Sequence, residues 1–476
     1  MAPAEIGWTA NHPRITMTAQ LQHAAPIDAV RQFRDAHPEI TRVDVLIPDA
    51  QGVLRGLRLG VDALEDLMEE GVGFPGSLYA TDITGSTVEE TGLGLEDGDA
   101  DRPCIAVPGT LVPVPWAERP TGQVLIRMTE ADGSRFYACP RSVLQGVVER
   151  FHADGLTPVV GIELEFYLVD RERDDRGLPQ PPLSPSTGRR QSTVQVYGLE
   201  ELDDFDHVID DMLSALKAQA IPADCVVSEY APGQYEINLD HLADAVRACD
   251  QALLFKRAIK GVARRHGIEA TFMAKPYPQW AGNGFHIHLS VLDREGRNIF
   301  ADADPMGNET LRHAIGGLKE TMVDGQALFA PHQNSYRRFR ANAYAPLAPT
   351  WGVNNRSTSL RIPQSGQAAR RVEHRVAGAD ANPYLVMAAV LAGAHHGIAN
   401  RIDPGRPIEG NAYETEPALL TSSWLAAVDT FGESPVFRDY LGDAFVEVYL
   451  AIKRSERETF HATVTPLEYD WYLTKV

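Results

Sequence analysis

GIELEFYL, residues 161–168, alternates polar and apolar side chains with the period of a β-strand. Glu163, Glu165 and Tyr167 therefore share one face, and Leu164, Phe166 and Leu168 the other. Two further runs carry the same i, i+2 signature. GFHIHLSV (284–291) pairs His286 with His288, and RRVEHRVAG (370–378) pairs Glu373 with Arg375. Ile287 and His374 should point away from those pairs. A fourth run, SEYAPGQYEINL (228–239), places Glu229 and Glu236 on either side of a Pro-Gly turn. Carboxylates and imidazoles gathered on one sheet face suit a hard divalent cation, which relieves the repulsion between paired acids.

Each run also has a plainer reading. The acids could face water on a half-buried strand, APGQY could be an exposed hairpin, and each histidine could be a satisfied core residue. Gly282 and Gly284 beside the histidines favour the ligand reading, because glycine lets a bound molecule approach the backbone. The arginines add to it. Arg337, Arg338, Arg340, Arg356, Arg361, Arg370, Arg371 and Arg375 interleave with apolar Leu360, Ile362 and Val372. Partly buried guanidinium groups need anionic partners, and their forks match phosphate and carboxylate. Acids for metal and arginines for phosphate are what phosphoryl transfer needs. The chain has no GxxxxGK[ST] loop and no kinase-type glycine loop.

The chain has 476 residues, enough for two or more domains. Its formal charge of −21 argues against a nucleic-acid partner, whose phosphates such a surface repels. The four cysteines (104, 139, 225 and 249) form no CxxC pair, so a reducing cytoplasm is expected. The start lacks a basic region followed by an apolar run, as a secretory signal would have. The longest apolar stretch, Tyr384 to Ile398, is too short for a bilayer, so no membrane association is expected.

Residues 1–25 read as an arm. Residues 26–132 read as a small α/β module of β-grasp character. It has a helix over Pro26–His37, a hairpin turning at Asp49–Gly52, a helix over Ala63–Glu70, and strands near 104–107 and 124–128. Residues 133–476 then alternate strands with helices near 205–220, 242–266, 309–329, 383–399 and 436–458. Pro140 starts a helix, Gly177–Thr193 is a loop, and Asn382-Pro383 is an N-cap followed by Pro at the first helical position.

Together GIELEFYL, SEYAPGQYEINL, GFHIHLS, NSYRRF, NNRSTSLRIP and RRVEHRVAGADANPYLVMAA resemble the glutamine synthetase family, in its order and over most of residues 40–476. The resemblance implies an α+β fold: an N-terminal β-grasp domain, then a catalytic domain whose curved antiparallel sheet is flanked by helices. It also implies a dodecamer of two hexameric rings, with active sites between neighbouring subunits. The reaction would be ATP-dependent, through γ-glutamyl phosphate, with two or three Mg2+ or Mn2+ ions per site. By position, Glu165, Glu229 and Glu236 would hold one ion, and Glu163, His286 and Glu373 a second. Gly282, Arg338 and Arg375 would hold glutamate. Arg356, Arg361 and Arg371 would face the ATP phosphates, with His288 and Ser290 on the nucleotide. Arg338, Arg356 and Arg361 would serve catalysis.

The departures bear on the acceptor. Where glutamine synthetases carry an aspartate for ammonium, the chain has Pro75 in Phe74-Pro75-Gly76-Ser77. Their flap glutamate falls at Tyr344, and an asparagine that helps hold glutamate is Ala281. Capturing and deprotonating ammonium needs negative charge and a base. Pro75 and Tyr344 make a more apolar amine pocket. VDVLIPDAQGVLRG, FPGSLYATDITG and VEETGLGLEDGDADRPC resemble the γ-glutamylputrescine synthetases within the family. The resemblance implies glutamate and putrescine or another polyamine as substrates. Ammonia, ethanolamine or a monoalkyl or aromatic amine remains an alternative acceptor, as does a catalytically silent structural role. Tyr413 lies where some relatives are adenylylated, but its surroundings match poorly and no such control is expected.

Overall fold

Each alternating run becomes a strand in the computed structural model, which describes residues 26–476; the expected arm lies outside the described residues. The first sheet contains β1 (Arg42–Pro48), β2 (Leu54–Gly60), β3 (Val72–Pro75), β4 (Asp101–Ala106), β5 (Val112–Pro113) and β6 (Thr121–Met128). Its order is β2-β1-β6-β4-β3, with β5 paired to β6. β1 and β2 form the expected hairpin, and β1 runs parallel to β6. The Asp49 carboxylate closes the turn by accepting from the backbone N–H groups of Gln51 and Val53, both at 2.9 Å. Gly52 supplies the positive φ (+77°) that this turn requires.

β1 is buried along almost its whole length because both of its faces are covered. Val43, Val45 and Ile47 pack with Val30 and Phe33 of the helix Pro26–Ala36. Leu46 and Leu125 face the opposite way, into the large core of the rest of the chain. The smaller core also takes in Phe136, Ala138 and Cys139, and Val448 and Ile452 of the helix Asp443–Ala462. Side chains from beyond residue 132 thus complete the N-terminal core.

The second sheet holds β7 (Thr157–Asp170), β8 (Ala223–Ser228), β9 (Gln234–Leu242), β10 (Ile268–Thr271), β11 (Phe285–Leu292), β12 (Trp351–Val353), β13 (Leu360–Ile362) and β14 (Val372–His374). Its order is β12-β13-β14-β11-β7-β9-β8, with β10 beside β7. All its pairings are antiparallel except β12 with β13. The register of β7 against β9 shifts between Val160 and Ile162, the kind of irregularity that bends a sheet.

The apolar face of this sheet (Leu164, Phe166, Ile237, Phe285 and Ile287) packs on the helices Ala245–Arg265 and Pro383–Asn400. The second of these is apolar on nearly every side, which suits a helix at the centre of a core. Asn382 caps it: its Oδ1 accepts from Tyr384 N at 3.0 Å, an arrangement worth about 1 kcal/mol. Its Nδ2 donates to the carbonyls of Asp49 and Ala50 at 3.2 Å, tying the cap to the β1–β2 turn.

Two expected helices are broken. The span 309–329 is a helix over Glu309–Glu320 and a separate turn over Gln326–Phe329. The span 436–458 is two helices, Pro435–Leu441 and Asp443–Ala462, divided at Gly442, whose φ is +89°. Among the described residues, no helix is long and apolar enough to cross a membrane.

Candidate active site

Strand register assembles the polar residues. β7 lies between β9 and β11, so Glu165 stands opposite Glu236 and Glu163 opposite His286. On β14, Glu373 stands opposite both His288 of β11 and Arg361 of β13. Cross-strand partners share a face, so Glu236, Glu165, Glu163, His286, His288, Glu373 and Arg361 form an oblique row across five strands. Leu164, Ile287 and His374 are buried on the other face, where the His374 ring meets Phe329 at 4.6 Å between centroids.

The row is closely bonded. One Glu163 oxygen lies 3.2 Å from His286 Nδ1 and the other 2.8 Å from His288 Nε2. Arg371 Nε donates to His288 Nδ1 at 3.1 Å, which leaves the imidazole proton on the nitrogen facing Glu163. Glu373 accepts from Arg361 at 2.7 Å and also from Arg375. Glu165 Oε2 accepts from Gly284 N at 2.7 Å. Potential ligand atoms of Glu163, Glu236 and His286 lie within 4.8 Å of one another, as do those of Glu163, His288 and Glu373. These trios differ from the expected sets. Glu163 joins both, and His288 stands among the carboxylates, because register sets His286 and His288 opposite different acids.

The electrostatics divides the acids in two. Burial alone would raise Glu163, but His288 and His286 hold its carboxyl well below the usual range. Burial is likewise overcome at Glu373, chiefly by Arg375 and then His288, bringing it to about 2. The other pair goes up. Burial and the Glu165 carboxylate push Glu229 to about 8. Burial and repulsion from Glu163, Glu229 and Glu165 push Glu236 well above its normal value. Crowded carboxylates that resist ionising together, with two imidazoles among them, fit a divalent oxygen-seeking cation.

The arginines fit anions. Arg338, Arg371 and Arg375 are buried, and Arg361 is largely so. Arg338 donates to Val376 O at 3.1 Å, yet the Nε–H groups of Arg338, Arg361 and Arg375 are buried without an acceptor among the described residues. Gly282 presses against this cluster: a Cβ there would lie 2.6 Å from Ala274 O and 2.7 Å from Arg338 Cγ. Arg356 is exposed on the β12–β13 loop, and Ser290 continues the His286–His288 face of β11.

Pro75 and Tyr344 lie on separate parts of the chain. Pro75 ends β3, an edge of the first sheet, paired with Asp101. Tyr344 follows the short helix Ser335–Arg338 and is 62% exposed, with φ +53°. The structure also adds residues that no motif singled out. Tyr197 lies in the loop before the helix Leu199–Asp204, 3.4 Å from Arg356 and within electrostatic reach of Glu229 and Glu236. Gln234 is buried and donates to Gly282 O and Asn283 Oδ1 at 3.1 Å each, fixing the glycine segment. Nothing in the loop sequence STVQVYG (192–198), which also carries Val194 and Val196, singles Tyr197 out.

Residues 137–472 match the family model for the glutamine synthetase catalytic domain. γ-Glutamylputrescine synthetase PuuA of Escherichia coli (strain K12) is 43% identical over 444 residues, covering 93% of this chain and 94% of that protein. Glutamate–isopropylamine ligase of a Pseudomonas species is 32% identical over 93% of this chain and 97% of its own length. γ-Glutamylethanolamide synthetase GlnA4 of Streptomyces coelicolor is 32% identical, with 92% of each chain covered. Among solved structures, a GmaS/ADP complex superposes with a TM-score of 0.81 at 28% identity, over 93% of this chain and 99% of that one. With the family model spanning most of the chain and such relatives covering nearly all of it, this chain belongs to the glutamine synthetase family.

Proposed function

We propose that this chain is an ATP-dependent glutamate–amine ligase and that its acceptor is putrescine or a related polyamine. The observation that carries the reading is the single sheet face on which Glu163, Glu165, Glu229, Glu236, His286 and Glu373 meet buried Arg338, Arg371 and Arg375. In the reaction, a γ-carboxylate oxygen of glutamate attacks the γ-phosphorus of ATP and ADP leaves. The amine nitrogen then attacks the acyl carbon, inorganic phosphate departs, and the amine loses a proton.

Glu165, Glu229 and Glu236, and separately Glu163, His286 and Glu373, would hold two of the two or three Mg2+ or Mn2+ ions. When bound, these ions supply positive charge beside the transferring phosphoryl group. Arg356, Arg361 and Arg371 face the ATP phosphates, with His288 and Ser290 on the nucleotide. Arg338, Arg375 and the Gly282 backbone hold glutamate. The charge that develops on the equatorial oxygens is met by Arg338, Arg356 and Arg361. Residues 26–132 form the β-grasp unit and 133–476 the catalytic unit, joined through their shared core.

Putrescine is favoured by the 43% identity to a putrescine-acting relative, and by Pro75 and Tyr344 where ammonium-using enzymes keep acids. The relatives named for isopropylamine and ethanolamine give the second reading, the same chemistry on another small amine. The intact ligand set argues against a silent relative. In a dodecamer of two hexameric rings with sites between neighbouring subunits, the assembly the resemblance implies, Pro75 on the edge of the first sheet would come from a neighbour. The exposed C-terminal helix Pro466–Tyr472 buries none of its side chains, leaving Leu467 and Trp471 for a subunit contact. The cytoplasm, which holds ATP and glutamate, is the place for such a ligase.

The test offers purified protein ATP, Mg2+, glutamate and, in turn, putrescine, spermidine, ethanolamine and ammonium, following phosphate release. Putrescine is expected to give a kcat/KM at least about tenfold above ammonium, the discrimination a shaped pocket provides. Equal or faster turnover with ammonium would overturn the polyamine assignment.

A further inference from the structure

Residues 405–420 run as a strap that starts along β12, the edge strand of the second sheet. Trp351 Nε1 donates to Gly405 O at 3.2 Å, and Ile408 N donates to Trp351 O at 2.7 Å. The strap then grips two loops. Asn355 Nδ2 donates to Gly410 O at 2.8 Å, and Ser357 Oγ accepts from Ala412 N at 3.0 Å. These two residues flank Arg356. Further along, the Tyr413 hydroxyl donates to Ala345 O at 3.0 Å, and Leu347 O accepts from both Leu419 N and Leu420 N at 2.9 Å. That second loop carries Tyr344.

The Tyr344 loop needs such a hold. Asn342 and Tyr344 both have positive φ, +59° and +53°, an unfavourable conformation for residues with a Cβ. Tyr344 is mostly exposed and has little packing of its own to define its place. The Tyr413 ring is partly buried and lies within electrostatic reach of Arg375, Tyr344 and Arg338, on the side where glutamate would sit.

We infer that Tyr413 is a positioning residue for the acceptor amine: its hydroxyl anchors the Tyr344 loop to a strap that also fixes the Arg356 loop. The inference rests on the reading above that Tyr344 lines the acceptor cavity. One strap thereby sets the distance between the cavity that admits the amine and the arginine that faces the nucleotide. Tyr413 acts through Ala345 and Tyr344, without touching the reacting atoms.

Steady-state kinetics of Tyr413→Phe tests this, since the substitution removes only the hydroxyl. The KM for putrescine is expected to rise by about 3- to 10-fold, the effect of one lost hydrogen bond, while the KM values for ATP and glutamate stay within about twofold. In a cycle with Tyr344→Ala, Tyr413→Phe is expected to add little to the change that Tyr344→Ala makes alone. An unchanged putrescine KM, an equal rise in all three KM values, or additive effects in the cycle would each overturn the inference. Hydroxylamine, a small nucleophile that traps acyl phosphates, separates this from failure of the reaction itself. Wild-type protein that forms no glutamyl hydroxamate would refute the ligase reading. Wild-type and Tyr413→Phe proteins that form it equally, with a putrescine defect in the variant alone, would support the strap.

Discussion

Glu373→Ala is expected to lower amine-dependent phosphate release by about 10^3-fold or more, a loss of transition-state stabilisation that one central electrostatic group can account for. Glu373 is 1% exposed and meets Arg361, Arg375 and His288 at once. Its removal takes a carboxylate from one of the two ligand clusters and leaves two buried guanidinium groups facing each other. Breaking a buried ion pair from one side costs about 3–5 kcal/mol, so the alanine variant is also expected to melt earlier. Glu373→Gln separates the two effects. It keeps the shape and one acceptor oxygen but removes the charge and turns an NH2 group toward one arginine, so it is expected to recover only part of the melting temperature and little of the activity. Near-normal turnover in either variant would show that Glu373 is not part of the site.

Gly282→Ala is expected to cut kcat/KM for glutamate by about 10^2-fold, as misplacement of a binding group by about 1 Å does. The added Cβ meets Ala274 O, a backbone atom with little freedom to yield, and Arg338 Cγ. Relief can come only by moving the Gly282 segment, which Gln234 holds, or by swinging Arg338 off Val376 O. Both disturb the groups assigned to glutamate, while the arginines assigned to ATP stand elsewhere, on the β12–β13 loop, on β13 and just before β14. The KM for ATP is therefore expected to stay within about twofold. Gly366→Ala is the control. Its Cβ would point into open space and its φ is −61°, so wild-type kinetics are expected. A Gly282→Ala enzyme with unchanged glutamate kinetics would remove Gly282 and Arg338 from the glutamate site.

Much of this site could be read along the chain because strand alternation is a local property. Glu163 with Glu165, and His286 with His288, share a face whatever the rest of the protein does. The partners across strands could not be read that way. His286 faces Glu163 through a register set by packing between segments more than 100 residues apart, and that register placed His288 among the acids. The helix breaks have the same character. Apolar periodicity continues through residues 321–325 and 442, but the chain turns where tertiary contacts favour it. Ser434 Oγ donates to Asp324 Oδ2 at 2.7 Å at the first break, and Gly442 takes a left-handed conformation at the second. Tyr197 left no local trace, and Tyr413 drew notice only by its place in the resemblance; each matters through the loop it meets in the folded chain. The edge placed at residue 132 rests on a change of pattern in the sequence. The core that crosses it was not, since Val448 and Ile452 come from the far end of the chain.

The acids of β7, β9 and the β8–β9 hairpin are proposed to form a divalent-ion cradle. Mn2+ binding measured by calorimetry at pH 6 and pH 8 tests it most directly. Burial and the Glu165 carboxylate push Glu229 up to about 8, so at pH 6 it holds a proton that a bound cation must displace, and burial with its acid neighbours raises Glu236 in the same direction. The same raised values mean that the metal-free protein loses stability as pH rises from the unfolded carboxylate range toward 8, where ion binding restores it. Affinity is expected to increase by up to about tenfold per pH unit for each proton released, and Glu236→Gln is expected to weaken binding and flatten that slope. Mn2+ affinity that is equal at the two pH values, or unchanged by Glu236→Gln, would contradict the account.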